Sequence, residues 1–301
     1  MTGLAPLPPN PANPIGGTAL ITAARRDVNR SLAATRRWLL DQLAAIPVTR
    51  IEVNSSPQAP LAVNASTYEY IIDTFRLKGI VDELRRRLGG TSEPVVSRAV
   101  SGYEIGTAAE VTALGAITQD YTRTVMQVLA SDPWQRRVAL VRARVFEEME
   151  GFVGETATDL ARVLSNGVEG GFNPITVAKD ITARFGVAQS RAERISRTEI
   201  TGALRRARWD EAEDAAINVG VRTMQMHLSA LSPTTRETHA RRHGNLYTVQ
   251  EVREWYAQDG NGINCKCAQA PVLVDAEGKP VIDRQVKRAK ALKEKYFSEQ
   301  Q

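Results

Sequence analysis

Cysteine is almost missing from this chain: only Cys265 and Cys267 occur, one residue apart. A disulfide-stapled secreted scaffold distributes its cysteines along the chain, so this spacing excludes that class and fits a reducing cytoplasm. Long apolar runs are missing too, and no stretch approaches the length needed to cross a bilayer. The opening MTGLAPLPPNPANPIGG has neither a basic leader nor an apolar h-region, so no secretion signal is expected. No Gly-x-x-x-x-Gly-Lys-Ser/Thr loop, Gly-x-Ser-x-Gly elbow or His-Glu-x-x-His pair occurs, so three common enzyme classes lose their usual markers. No histidine follows His243, which leaves a nuclease of the His-Asn-His kind without the further histidine it needs.

What is present is an ordinary soluble composition, 43% hydrophobic and 24% charged, on 301 residues, enough for one compact domain plus a second helical region. The formal charge of +5 favours anionic partners such as DNA only modestly, without the density of a dedicated nucleic-acid binder.

Residues 1–65 read as a flexible Pro-rich arm and linker with a short helix from Arg25 to Leu43 that ends before Pro47. Residues 66–165 read as helical. Tyr68, Ile71, Ile72 and Phe75 recur at helical spacing, Ile80, Val81, Leu84 and Leu88 follow after Gly79, and Gly89-Gly90 supplies the break, so the stretch reads as a helix or a broken pair. From Pro94 to Leu129 an alanine-rich segment predicts helix despite Gly102, Gly106 and Gly115, which mark close helix packing. Asp132-Pro133-Trp134-Gln135 predicts a fresh start with Asp132 as N-cap.

Residues 166–275 change character. Asn173-Pro174 predicts one short helix, and Ser190-x-x-Glu193 a capping box for a second that runs toward Ala216. Then Met224, Met226 and Leu228 alternate with Thr223, Gln225, His227 and Ser229, the period-two pattern of a half-buried strand. Residues 276–301 form a basic tail in which Lys287, Arg288, Lys290 and Lys293 are candidate contacts to DNA or an acidic protein surface, a solvated helix being the plainer explanation. The pairs and triplets Arg85-Arg86-Arg87, Arg136-Arg137 and Arg205-Arg206 fit long basic side chains coating exposed helix faces. The expected fold is therefore α+β, mainly α: a helical N-terminal region, a small α+β domain and a basic C-terminal helix.

Several side chains in 166–275 can carry chemistry. His239 and His243 stand four apart and share a face if helical, and Cys265 and Cys267 follow a turn-rich Asp259-Gly260-Asn261-Gly262 stretch. Two histidines and two cysteines suit a tetrahedral zinc, although the one-residue gap between the cysteines is tighter than finger spacing. Against this stands the plainer reading of small core cysteines and locally hydrogen-bonded histidines. Glu199 falls at the edge of the apolar stripe between Ile195 and Ala203 and needs a donor, for which Arg197, Arg236 and His239 are candidates.

The ordered set Arg191 to Glu199 (RAERISRTE), Arg236, His239, His243-Gly244 and Asn264-Cys265-Lys266-Cys267 resembles the Mu F-like head morphogenesis domain of tailed bacteriophages. That family is similar in its Arg-Thr-Glu helix, its Thr-Arg-x-x-His stretch and its closing Asn-Cys-Arg-Cys. The resemblance covers about residues 165–275. Two departures weaken catalytic or metal inferences: Leu231-Ser232-Pro233 replaces a common acidic residue, and the usual proline before the closing Asn-Cys is missing. The resemblance implies a minor head protein located in the virion head, and in the host cytoplasm during assembly. Its implied partners are the portal protein, capsid or scaffold proteins and packaged double-stranded DNA, with no membrane. It also implies a motif network of Arg197, Glu199, Arg236, His239 and Asn264, with no catalytic residue and no cofactor beyond the candidate zinc. The competing reading is an enzyme, a metal-supported nuclease or transferase effector using His239, His243, Glu199 and the cysteines.

Overall fold

A computed structural model describes residues 3–51 and 67–299, and the expected linker lies mostly outside these residues. Cα packing divides the chain into two compact units, the first comprising 1–22, 96–145 and 196–301 and the second 23–95 and 146–195. Among the described residues the chain is mainly helical with two small antiparallel sheets, as the composition and periodicity predict. No helix there is long and apolar enough to cross a membrane.

The second unit takes most of α1 (Thr18–Ala44), the hairpin-like pair β1 (Val48–Ile51) and β2 (Thr67–Tyr70), and α2 (Thr74–Gly89). Residues 146–169 of α5 (Asp132–Glu169) and the start of α6 (Pro174–Asn218) complete it. Val28, Leu39, Leu84, Leu88, Phe152, Leu160 and Ile181 are fully buried there, at the helical spacings their apolar stripes dictate. Tyr68 and Tyr70 belong to a strand, not to the expected helix. Their backbone pairs with Arg50 and Val48, the helix starts only after Asp73 caps the Arg76 N–H at 2.6 Å, and Ile71 and Phe75 are exposed. Helix α2 runs through Gly79 without a break and stops at Gly90, as the paired glycines predict.

Two cap assignments shift. The N-cap of α5 is Ser131, whose Oγ accepts from the Trp134 N–H at 3.4 Å, so Asp132 is already helical. Ser190 caps nothing: α6 is one helix of 45 residues, and Ser190 Oγ bonds back to the Gly186 carbonyl at 3.1 Å. No proline follows Pro174 within this segment and its composition favours helix, so the local Ser-x-x-Glu signal is outweighed. Asn173 does cap α6, its Oδ1 accepting from Ile175 N–H at 2.9 Å. Gly220 at φ +78° ends it, and the Val221 N–H bonds back to the Ala215 carbonyl at 3.2 Å.

In the first unit α3 (Ser92–Ile117) lies against α6, with short α4 (Val125–Leu129) and the start of α5 beside it. A three-stranded sheet in the order β4 (Leu246–Tyr247), β3 (Thr223–Leu228), β5 (Ala268–Leu273) follows, all antiparallel. Helices α7 (Glu237–Arg242), α8 (Val249–Ala257) and α9 (Arg284–Ser298) complete the unit. One sheet face is apolar: Met226, Leu228, Ala270 and Val272 pack with Val286 and Ala289 of α9, so the basic tail helix is an integral layer. The Pro-rich segment is no free arm where it is described, since Ala5 and Ile15 are buried, the Ile15 N–H bonds the Lys266 carbonyl and Gln285 bonds the Ala5 carbonyl. Strand β3 is also not half-buried, because Gln225 and His227 on its polar face are as inaccessible as Met226.

A Cβ on Gly106 would stand 2.4 Å from the Leu204 carbonyl oxygen and 2.9 Å from the Ala207 Cβ. Gly106→Ala is expected to destabilise the protein by about 1–3 kcal/mol, read from urea unfolding, whereas Gly154→Ala, which meets nothing within 4 Å, leaves stability unchanged or raised.

Candidate functional site

The polar face of the sheet is where the motif residues converge. In the β3–β5 register His227 stands opposite Gln269, so both project to the face away from α9. That face is roofed by α6, α7 and α8. Trp209 of α6 donates its indole N–H to Gln269 Oε1 at 3.1 Å, and Gln269 Nε2 reaches Tyr256 Oη of α8 at 3.2 Å and His227 Nδ1 at 3.3 Å. Trp255 packs edge-on to His227 at 5.4 Å and to His239 of α7 at 4.6 Å.

Arg205 is the largest fully buried side chain among the described residues. Its Nη2 donates to the Cys265 carbonyl at 2.9 Å and to Thr201 Oγ1 at 3.0 Å, its Nε donates to the Cys267 carbonyl at 3.2 Å, and its guanidinium lies 4.6 Å from the Tyr256 ring centroid. Arg208, one turn on, donates to the Gln269 carbonyl at 3.2 Å. Helix α6 thus holds the Cys265–Gln269 segment by its backbone, through a row of arginines. Arg206 is half-buried, with its pKa lowered to about 10 by desolvation and then by the charge of Arg144. Arg205 therefore coats no exposed face, whereas Arg206 stays partly exposed, a reversal for Arg205 that follows from packing both sides of α6.

The two sulfurs lie against His239, whose Nδ1 is 3.4 Å from Cys267 Sγ and 3.5 Å from Cys265 Sγ. Both cysteines are free and buried. The hydrogen bond from Cys267 draws the Cys265 thiol's pKa down, with Arg205 and His239 helping against the cost of burial, while the same bond pushes Cys267 up. His227 is held neutral, first by burial and then by Arg242. His227, His239 and Cys267 each place one ligand atom within 4.8 Å of the others, so among the described residues these three are a group able to hold a metal.

His243 is not among them. Its Nδ1 accepts the Ser229 N–H at 3.0 Å, and it lines an apolar cavity with Met226, Leu228 and Leu292. Burial lowers its pKa to about 4. Gly244 follows it at φ +76°, and a Cβ there would stand 2.7 Å from the Lys290 backbone nitrogen, so the His-Gly pair is a turn pressed against α9.

The expected five-residue network separates into parts. Arg197 donates to Asn264 Oδ1 at 2.8 Å, and Asn264, at φ +54°, donates its N–H to Thr198 Oγ1 at 3.1 Å. Arg236 donates to the Gly260, Asn261 and Ile263 carbonyls at 3.0 to 3.2 Å, clamping the turn before the cysteines. Glu199 pairs with Arg144, and Arg206 lies 3.9 Å away. In the tail, Lys287, Arg288 and Lys290 are exposed, whereas Lys293 turns inward to Asn245 Oδ1 at 3.0 Å.

Three members of the site escaped sequence reasoning. His227 looked solvent-facing because strand alternation does not say what covers the second face. Arg205 carried no signal beyond a polar residue on the Ala203–Ala207 stripe. Glu110 of α3 is wholly buried 3.5 Å from Arg208, and burial raises its pKa to about 7 despite that charge.

The second half of α6, the small sheet and α7 to α8 thus make an α+β domain whose motif side chains turn inward onto one sheet face. Residues 158–270 match the model of the family described as Phage Mu protein F like protein, so this part of the chain is similar to the Mu F-like phage head morphogenesis family. No curated protein and no solved structure matches the chain.

Removing the guanidinium in Arg205→Met leaves two buried carbonyls unpaired and is expected to cost about 2–4 kcal/mol in urea unfolding. Glu110 gives a pH signature. With its folded pKa near 7 and its ordinary value at 4.5, the folded state binds more protons between those limits, so this group lowers stability as pH rises through that window. Glu110→Gln should unfold like wild type near the bottom of the window and be the more stable protein above its top. A difference that does not change with pH would show that Glu110 stays ionised.

Proposed function

We propose that the chain is a minor head protein that joins the assembling head of a tailed phage at its portal and acts by binding rather than by catalysis. The observation that carries this reading is the family match of residues 158–270, a head morphogenesis domain. The site supports it chemically: Arg197, Arg205, Arg208 and Arg236 are spent on backbone carbonyls and Asn264, and His239 and both sulfurs are buried, an arrangement that builds a fold. The exposed basic side of α9, with Arg284, Lys287, Arg288 and Lys290, is a surface for an acidic portal patch or for packaged DNA.

The full chain coexpressed with the portal protein of the same phage is expected to co-purify as a complex of fixed stoichiometry by native mass measurement. Reversing Lys287, Arg288 and Lys290 to glutamate should weaken that complex, and more so at low salt, while leaving the melting temperature unchanged. A monomer that ignores the portal and cleaves nucleic acid or modifies a protein instead would replace this reading with the nuclease or transferase one.

A further inference from the structure

We propose that His227, His239 and Cys267, with Cys265 as the fourth ligand, form a structural zinc site that joins β3, α7 and the segment leading into β5. The inference rests on the side chains alone and stands or falls apart from the head-protein reading.

The donors come from three separate pieces of chain, yet one atom each of His227, His239 and Cys267 lies within 4.8 Å of the others. Tetrahedral zinc with Zn–S of about 2.3 Å and Zn–N of about 2.0–2.1 Å has an N···S edge of about 3.6 Å. The two N···S separations at His239 Nδ1, 3.4 and 3.5 Å, are close to that edge. His227 is 0% exposed, His239 2% and each cysteine 3%, so outside water has little access to these groups. Their internal partners are incomplete, since the Nε2 atoms of both His227 and His239 are buried with no hydrogen-bond partner among the described residues. An unpaired buried ring nitrogen is costly, and a metal in the cluster satisfies the one on His227.

The donor chemistry selects the ion. Two imidazoles and two thiols with no carboxylate suit borderline-soft zinc and disfavour magnesium or calcium. Zinc displaces the two thiol protons, and a dication with two thiolates is formally neutral, so binding adds no net charge beside buried Arg205. Gln269 is the outer partner. Ligation through His227 Nε2 leaves the ring proton on Nδ1, and the Gln269 amide, 3.3 Å away, turns its oxygen to accept it. Four buried protein donors leave no position for substrate, which makes the site structural.

Elemental analysis of the full chain, purified without chelator, should give one zinc per chain. Replacement by Co2+ should give the intense visible bands of a tetrahedral site together with sulfur-to-cobalt charge transfer. Cys265→Ser should reduce the charge-transfer band and Cys267→Ser should abolish tetrahedral binding, while His243→Ala leaves both spectrum and stoichiometry intact. Gln269→Leu should weaken zinc binding by about 10–100-fold in a chelator competition. The wild-type cobalt spectrum needs no variant to fold: substoichiometric uptake, or cobalt bound without sulfur charge transfer, overturns the site. An unchanged charge-transfer band in Cys265→Ser overturns the assignment of the fourth ligand.

Discussion

The buried guanidinium of Arg205 is the contact on which the first unit's sheet depends. A cation taken out of water is tolerated only if its donors and its charge are met, and here two main-chain carbonyls, Thr201 Oγ1 and the Tyr256 ring meet them. The carbonyls belong to Cys265 and Cys267, so the same bonds that satisfy the arginine fix the backbone of the segment entering β5 against α6. Neutral side chains of similar size would fill the space but leave both carbonyls unpaired. Everything on the polar face, from Gln269 to the two sulfurs, takes its position from that segment.

The sheet consequently separates two kinds of packing. Toward α9 it is apolar and unspecific in chemistry, a hydrophobic contact that keeps the basic helix in place with its charged side outward. Toward α6 to α8 it is polar, aromatic and directional, each group fixed by a hydrogen bond or a ring contact. Such networks specify one arrangement because a shifted register leaves buried polar groups unpaired. The side chains by which this chain resembles the Mu F-like family include ones that close this face: Arg197 with Asn264, Arg236 on the turn at 260–263, and His239 on the sulfurs.

Much of the helical architecture was legible from residue patterns, and the exceptions have physical reasons. The close packing at Gly102 and Gly106 follows from the small residues themselves, with Cβ positions on the Ile200 and Leu204 carbonyls. Asn173 capped as expected. Ser190 did not, because a four-residue capping signal is weak beside a long stretch of helix-favouring chain. Tyr68 was misplaced because helical spacing of four apolar residues cannot reveal a strand partner at Val48–Ile51. Glu199 sat where a partly buried carboxylate was expected, yet its cations are Arg144 and Arg206, one of them far away in sequence.

The sequence by itself determined most of the long helical stretches, that Thr223–Leu228 alternates as a strand and which family the second half resembles, and it marked His239, His243, Cys265 and Cys267 as one candidate set. Those properties are local or are carried by ordered motifs. The tertiary structure alone decided that His227 and not His243 completes the cluster, that Arg205 is interior, and that the Pro-rich N-terminal segment packs rather than hangs free. Periodicity tells which residues share a face of a helix or strand, but what covers that face depends on elements 30 to 280 residues apart meeting in space, as Gln285 does with Ala5. The polarity of Gln225, His227 and Gln269 marked a face as polar, and only the roof of α6, α7 and α8 made it an interior.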